Sequence, residues 1–338
     1  MSGLPYIGGL EGLVPVSRAI EVLEETLASG FDPEQAQART AAPAGRGEFL
    51  LMPAAAGRYA GVKVVSVAPG NPARGLPRIQ GAYLLFDGDS LAPLAVMDGL
   101  ALTSLRTPAL SALAVRHLAH PAASRLLVFG TGPQAWGHVL ALREVRALER
   151  VTVVGRDPGR TAAFADRCRA LGLAAEALHP EPASTGAAAR GLGDLVASAV
   201  GKADLIACCT TSRTPLFPGR LTRDSATVVA VGSHEPDARE IDDDLVTRAT
   251  VVVEARGTAL SEAGDVVIPL RGGTITSGHL AGNLADLVTG RVTLGEGPRV
   301  FKSVGMAWED LVVAAAAYEA WTRQEGPVSG PGTVDGRK

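Results

Sequence analysis

Apolar positions along the chain recur first at helical spacing, then at strand spacing, then in a regular alternation of the two. Val16, Ile20, Leu23 and Leu27 fall on one face, which predicts a helix over about Pro15 to Ser29, ended by Gly30. Four short strand-like runs follow: Gly47–Met52, Ala60–Ala68, Gln80–Phe86 and Ala92–Met97. The breakers between them include Pro69-Gly70-Asn71-Pro72 and Asp87-Gly88-Asp89, and strands joined by such turns read as an antiparallel sheet. Arg39 precedes these runs in a Pro- and Ala-rich stretch read as a loop. A helix over about Ala101 to His120 closes the region at Pro121.

The period changes at Ser124. Arg125–Gly130 is an apolar strand, Pro133–Leu148 a helix, Arg150–Val154 a strand and Arg160–Leu171 a helix. Asp204–Cys209, Ala226–Val231 and Thr250–Glu254 then read as buried strands. Strand alternating with helix predicts an α/β fold with a doubly wound parallel sheet, the Rossmann arrangement. The last helix, Met306–Trp321, lies beyond this unit and is free to return to the first region. The expected organisation is therefore one domain from residues 1–120 and 306–330, a Rossmann domain over 121–305, and a flexible tail over 331–338.

Bulk composition narrows the function. At 46% hydrophobic and 20% charged residues the chain is globular, and its 338 residues suggest two domains. A net charge of -3 supplies no field to gather nucleic acid or acidic lipid, so neither is expected as a partner. No run is apolar enough to span a membrane. Cys168, Cys208 and Cys209 suit neither a disulfide framework nor a metal site, which predicts a reducing, cytoplasmic setting and no bound metal.

The most informative short motif is Gly130-Thr131-Gly132-Pro133-Gln134-Ala135, set between a predicted strand and a predicted helix. Gly130 permits the tight turn, Gly132 lets a pyrophosphate approach the backbone, and Ala135 replaces a third glycine while still allowing close helix–strand packing. The helix start offers unpaired N–H groups and a positive dipole end to an anion. At the end of the next strand an NAD site usually carries a carboxylate for the ribose. Here Gly155 stands there, followed by Arg156 and Asp157. A missing carboxylate and a guanidinium able to grip a 2′-phosphate predict NADPH, while Asp157 keeps NADH possible. Val231-Gly232 closes another predicted parallel strand, where ligands gather in such sheets.

Longer motifs then carry a resemblance. Met52-Pro53-Ala54, Gly61-Val62-Lys63, Asn71-Pro72, Gly75-Leu76-Pro77, Asp98-Gly99, Leu102-Thr103-Ser104-Leu105-Arg106-Thr107, Gly232-Ser233-His234, Arg239-Glu240, Glu262-Ala263-Gly264-Asp265 and Phe301-Lys302-Ser303-Val304-Gly305 resemble the ornithine cyclodeaminase/mu-crystallin family. The resemblance implies a substrate-binding and dimerisation domain of α+β type built from both chain ends, a Rossmann domain, and a homodimer with its active site in the cleft between domains. It also implies NAD(P)-dependent chemistry on a carbon that lies beside a carboxylate and exchanges hydride as an amine or imine.

By the same resemblance, Arg39, Lys63 and Arg106 would hold the substrate carboxylate, and Thr107, Thr210, Ser212 and Ser303 would lie near the cofactor. Read alone, Lys63 is an odd residue within the apolar run Gly61–Val67, Arg106 lies in a mild helix, and Arg39 carries no signal. Ornithine cyclodeaminases place a glutamate where this chain has Leu50 and an aspartate where it has His234. Buried cations need buried partners, so a diamine substrate is disfavoured. The expected reaction is NADPH-dependent reduction of a cyclic ketimine 2-carboxylate, of the 1-pyrroline-2-carboxylate or 1-piperideine-2-carboxylate type, to the cyclic amino acid. Lys63 or His234 would supply the proton. The alternatives are an amino-acid dehydrogenase of the alanine type, an ornithine cyclodeaminase, and a non-catalytic protein that binds NADPH and a small ligand. Arg78, where the family commonly has threonine, would either reach the cofactor phosphates or face solvent. His117 and His120 lack partners at metal-like spacing and read as helix-end residues.

Overall fold

A computed structural model describes residues 3–180 and 193–325. The expected tail at 331–338 lies outside the described residues. Two compact units emerge, the first from residues 3–22, 36–106 and 306–325 and the second from 23–35, 107–180 and 193–305. The division falls inside the helix Gly99–Leu118, after Arg106.

The first unit is a six-stranded sheet of β1 (Tyr6–Ile7), β2 (Thr40–Ala44), β3 (Gly47–Ala56), β4 (Tyr59–Val67), β5 (Ile79–Asp87) and β6 (Pro93–Asp98). Its order is β1-β6-β5-β4-β3-β2, antiparallel throughout except for the parallel pair β1 and β6. The four predicted strands all form, and β1 and β2 are additions. Pro43 argued against a strand there, but β2 pairs only with β3, and an edge strand tolerates proline. Strand alternation turns Met52, Lys63, Val65, Tyr83, Leu85, Ala95 and Met97 to a buried face. The helix Ala307–Glu325 packs on β3, β4 and β5. Val62, Leu84 and Val96, which are cross-strand neighbours, point the other way and stay half-exposed.

The second unit is an all-parallel sheet of eight strands: β7 (Arg125–Phe129), β8 (Arg150–Val154), β9 (Ala174–Leu178), β10 (Leu205–Cys208), β11 (Thr227–Ala230), β12 (Thr250–Val253), β13 (Leu280–Asn283) and β14 (Arg299–Lys302). The order β13-β12-β14-β11-β10-β7-β8-β9 makes it doubly wound, because the chain proceeds from β7 toward one edge and then, from β10, toward the other. Leu127, Ile206, Val228, Val300 and Val251 form one cross-strand row and are all buried, as strands covered on both faces require. Each such side chain contributes roughly 1.5–3 kcal/mol on leaving water.

Candidate active site

In the first unit the register sets Met52, Lys63 and Tyr83 side by side across β3, β4 and β5. Arg39 stands one residue before β2, half-buried, and continues this row toward Met52. Lys63 is 2% exposed. Its Nζ lies 2.7 Å from Asp310 Oδ2 and donates to Thr103 Oγ1 at 3.1 Å. Arg106, equally enclosed, donates from Nε to Asp310 Oδ1 at 3.2 Å and from Nη1 to Glu309 Oε2 at 2.5 Å. Asp98 caps the helix that carries Arg106, accepting the N–H groups of Leu100 at 2.8 Å and Ala101 at 3.1 Å.

Two buried cations thus face two buried carboxylates, Glu309 and Asp310, in the first turn of the helix Ala307–Glu325. An unpaired ion in such a place would cost several kcal/mol, so the pairing is what makes the burial tolerable. Burial still dominates at Lys63 and pushes its pKa down to about 8, with Asp310 opposing the shift and Arg106 adding to it. Tyr83 is fully enclosed beside them, and burial together with the Asp310 charge pushes its phenol up. A side chain at position 61 would run into the Tyr83 hydroxyl, so glycine is required there.

Glu309 and Asp310 were not among the expected site residues. A signal existed, since two adjacent acids open an otherwise apolar helix, and acids on a buried helix are rare without partners.

In the second unit the predicted phosphate turn has the geometry its residues imply. Gly130 adopts φ 114, in the left-handed region, and a Cβ there would meet the Cys209 carbonyl oxygen at 2.6 Å. Gly132 is the N-cap of the helix Pro133–Val145 and supplies no side-chain cap. Pro133 has no N–H, and the Trp136 N–H bonds the Gly132 carbonyl at 3.1 Å, so what this helix start offers an anion is the positive end of its dipole behind a glycine turn. Two other predicted residues, Thr131 and Gln134, sit half-buried on this turn.

At the end of β8, a side chain on Gly155 would collide with Thr161 and approach Thr131 Cγ2 at 2.8 Å. Arg156 is exposed. Asp157 is the N-cap of the helix Pro158–Ala170, its Oδ1 accepting the Arg160 N–H at 2.9 Å. That carboxylate is already engaged in capping.

Register gathers most of the remaining predicted cofactor residues. Phe129 pairs with Val154 and Cys208, Cys208 with Ala230, and Ala230 with Lys302. Gly130, Gly155, Cys209, Val231 and Ser303 therefore all stand one residue past their strands, in a single line at the carboxyl edge of the sheet. The chain reverses its winding between β7 and β10, which is where ligands bind in open α/β sheets. Ser303 N–H donates to the Ala230 carbonyl at 3.2 Å. Thr210 and Gly232 are tied to one buried carboxylate, Glu240. Ser212 N–H reaches Thr210 Oγ1 at 3.2 Å. Thr107 is buried in its helix, and His234 is exposed two residues beyond Gly232.

Elsewhere, His117 pairs with Glu24 at 2.7 Å, in keeping with a helix-end role. Among the described residues no helix is long and apolar enough to cross a membrane.

A glycine turn at the switch point of a doubly wound parallel sheet, in a cradle that a Cβ at Gly130 would fill, places the chain among the dinucleotide-binding α/β proteins. The chain belongs to the ornithine cyclodeaminase/mu-crystallin family, whose model matches residues 10–325. It is similar to Delta(1)-pyrroline-2-carboxylate reductase of Bacillus cereus, at 36% identity over 276 residues and 80% of each chain. Among solved structures it is similar to the Delta(1)-pyrroline-2-carboxylate reductase of Thermococcus litoralis in complex with NADH and L-proline. That likeness has a TM-score of 0.84 and 30% identity, and covers 96% of this chain and 98% of that one. An archaeal alanine dehydrogenase dimer with bound NAD gives a TM-score of 0.84 at 25% identity, with the same coverage.

Proposed function

We propose that the protein reduces a cyclic ketimine 2-carboxylate of the 1-pyrroline-2-carboxylate class to the cyclic amino acid, using a nicotinamide cofactor. The observation that carries the reading is the buried pair Lys63 and Arg106, bridged by Asp310 in the unit that carries no dinucleotide turn. Two fixed cations in a dry setting suit a carboxylate, and charge-assisted hydrogen bonds there are strong. The reductases to which the chain is similar act on substrates of this class by their names.

A reduced nicotinamide, when bound, would supply the hydride for the carbon of the C=N bond. The residues of the chain position the substrate and handle the proton. Lys63 and Arg106 hold the carboxylate, with Arg39 at the edge of the same row. Positioning of this kind contributes up to roughly 7–11 kcal/mol in favourable systems. The nitrogen, left with the π pair, takes a proton. Lys63 is the better donor than His234, because burial brings its pKa to about 8 while His234 is exposed. Leu50 is uncharged and half-buried, which favours a ring without a second amine.

For the cofactor we infer NADPH as the preferred form. In support, Arg156 is exposed just past β8, where a guanidinium could grip a 2′-phosphate, and one oxygen of the Asp157 carboxylate is engaged in a helix cap. The half-exposed apolar row Val62, Leu84 and Val96 supports a homodimer formed through this face of the first unit.

The test is cofactor oxidation followed at 340 nm, with cyclic imines set against 2-oxo acids plus ammonia. Turnover of the five- or six-membered cyclic imine is expected. Turnover only with oxo acid and ammonia would overturn the ketimine assignment in favour of an amino-acid dehydrogenase. Tight cofactor binding without any turnover would instead mark a binding protein.

A further inference from the structure

Three residues from separate sequence motifs meet beneath the loops at the carboxyl edge of the second sheet: Glu240, Asp265 and Lys302. All three are buried. Glu240 Oε1 accepts both the backbone N–H and the hydroxyl of Thr210, each at 2.7 Å. Its Oε2 accepts the Gly232 N–H at 2.7 Å. One carboxylate thus clamps the segment after β10 to the segment after β11. The clamp is tight: a Cβ on Gly232 would collide with the Thr210 backbone and stand 2.6 Å from Glu240 Oε1.

Glu240 is itself anchored, since Asp265 Oδ1 accepts the N–H groups of Glu240 at 2.7 Å and Ile241 at 2.9 Å. Lys302, the last residue of β14, pairs with Asp265 Oδ2 at 2.8 Å and donates to the Ser233 carbonyl at 2.5 Å. Burial raises the Glu240 pKa, against the Lys302 charge and the Thr210 hydrogen bonds, which lower it. Three donors aimed at its two oxygens hold Glu240 as the carboxylate, and the one ammonium nearby is paired with Asp265, so the cluster carries a negative charge.

The location gives that charge a target. In a dinucleotide fold the adenosine half lies toward the strand after the glycine turn, here β8, and the pyrophosphate lies at the turn itself. The nicotinamide half would then fall on the opposite side, over the ends of β10, β11 and β14. Those are the three strand ends that Glu240 and Lys302 hold.

We propose that Glu240 is a positioning residue for the nicotinamide half of the cofactor, and that its charge favours the cationic, oxidised ring over the neutral, reduced one. The inference rests on the nicotinamide reading above. The consequence is a bound cofactor tilted toward giving up its hydride. A glutamine cannot substitute, because it offers one acceptor and one donor group where Thr210 and Gly232 both need acceptors.

The experiment measures the dissociation constants of NADPH and NADP+ separately, by fluorescence titration of the wild-type protein and Glu240→Gln. A carboxylate near the ring predicts that the variant weakens NADP+ binding at least about fivefold more than NADPH binding, for a unit charge within roughly 10 Å at an effective dielectric near 20. Equal weakening of both forms, or no change in either, overturns the proposal, because a merely structural clamp would not separate them. Should Glu240→Gln fail to fold, amide hydrogen exchange on the wild-type protein without cofactor still decides the clamp. Thr210 and Gly232 must exchange slowly, and fast exchange at both sinks it. If the wild-type protein binds neither form, the cofactor reading itself fails. Binding with an unchanged ratio refutes only the role given to Glu240.

Discussion

Asp310→Asn is the substitution that separates a charged carboxylate grip from simple packing. Asp310 is fully buried and touches both cations, so its loss removes one negative charge from a set that holds two of each sign. A unit charge pair about 4 Å apart is worth about 4 kcal/mol at an effective dielectric of about 20, which bounds the effect on Lys63. Lys63 already sits near pKa 8 because burial outweighs its partners. Without Asp310 its pKa falls further, and near pH 7 the amine is neutral. That release keeps the variant from holding an unpaired buried charge, which would otherwise cost roughly 3–5 kcal/mol. Arg106 keeps Glu309.

The expected phenotype is a folded enzyme with KM for the cyclic imine raised roughly 10- to 100-fold, the equivalent of about 1.4–3 kcal/mol of lost charge-assisted binding. The assay is kcat/KM from pH 5 to 9. In the wild type the profile falls above about pH 8, where Lys63 loses its proton. In the variant that limb moves at least about one pH unit lower. A KM within twofold of wild type together with an unmoved limb would refute the reasoning, and would mean that the cations act without help from the helix Ala307–Glu325.

Four further outcomes are expected. Arg156→Ala raises KM for NADPH about tenfold and leaves KM for NADH nearly unchanged, while parallel changes in both would remove Arg156 from the 2′-phosphate site. Gly130→Ala weakens cofactor binding more than tenfold in fluorescence titration, because φ 114 strains alanine and its Cβ meets the Cys209 carbonyl; normal affinity would show that the turn relaxes. Leu84→Asp converts a dimer to a monomer by light scattering, and an unchanged mass would place the interface elsewhere. The folded pKa of Lys63 lies below its ordinary 10.5, so the folded state holds fewer protons between about pH 8 and 10.5 and gains stability as pH rises through that window. Denaturation of Lys63→Met, compared with wild type, should lack roughly 3 kcal/mol of that gain, and identical pH dependence would contradict it.

Local pattern revealed the fold where the signal was local. The alternation of strand and helix after Ser124 marked the parallel sheet, and the glycine turn stood where strand gave way to helix. β14 escaped because it is four residues long, has charged ends, and owes its place between β11 and β12 to pairing with distant strands. The site divided in the same way. Lys63 was conspicuous as a lysine in an apolar strand, and its burial bears out that oddity. Arg106 looked like any helix arginine, because its partners Asp310 and Glu309 stand 204 and 203 residues away. The Asp157-Pro158 step was readable as a helix start, which would have told at once that its carboxylate was engaged. Glu240 had no such mark, since its meaning lies in which loops it joins.

The long span between the cations and their carboxylates also orders events on the ribosome. Arg106 leaves the exit tunnel 203 residues ahead of Glu309, a delay of roughly 10–40 s at 5–20 residues per second. Through that interval the sheet that carries Lys63 lacks the two carboxylates that pair with its buried cations. The first unit, although it opens the chain, must wait to close until the helix Ala307–Glu325 has been made, and the nascent protein is most open to chaperones and proteases during that wait.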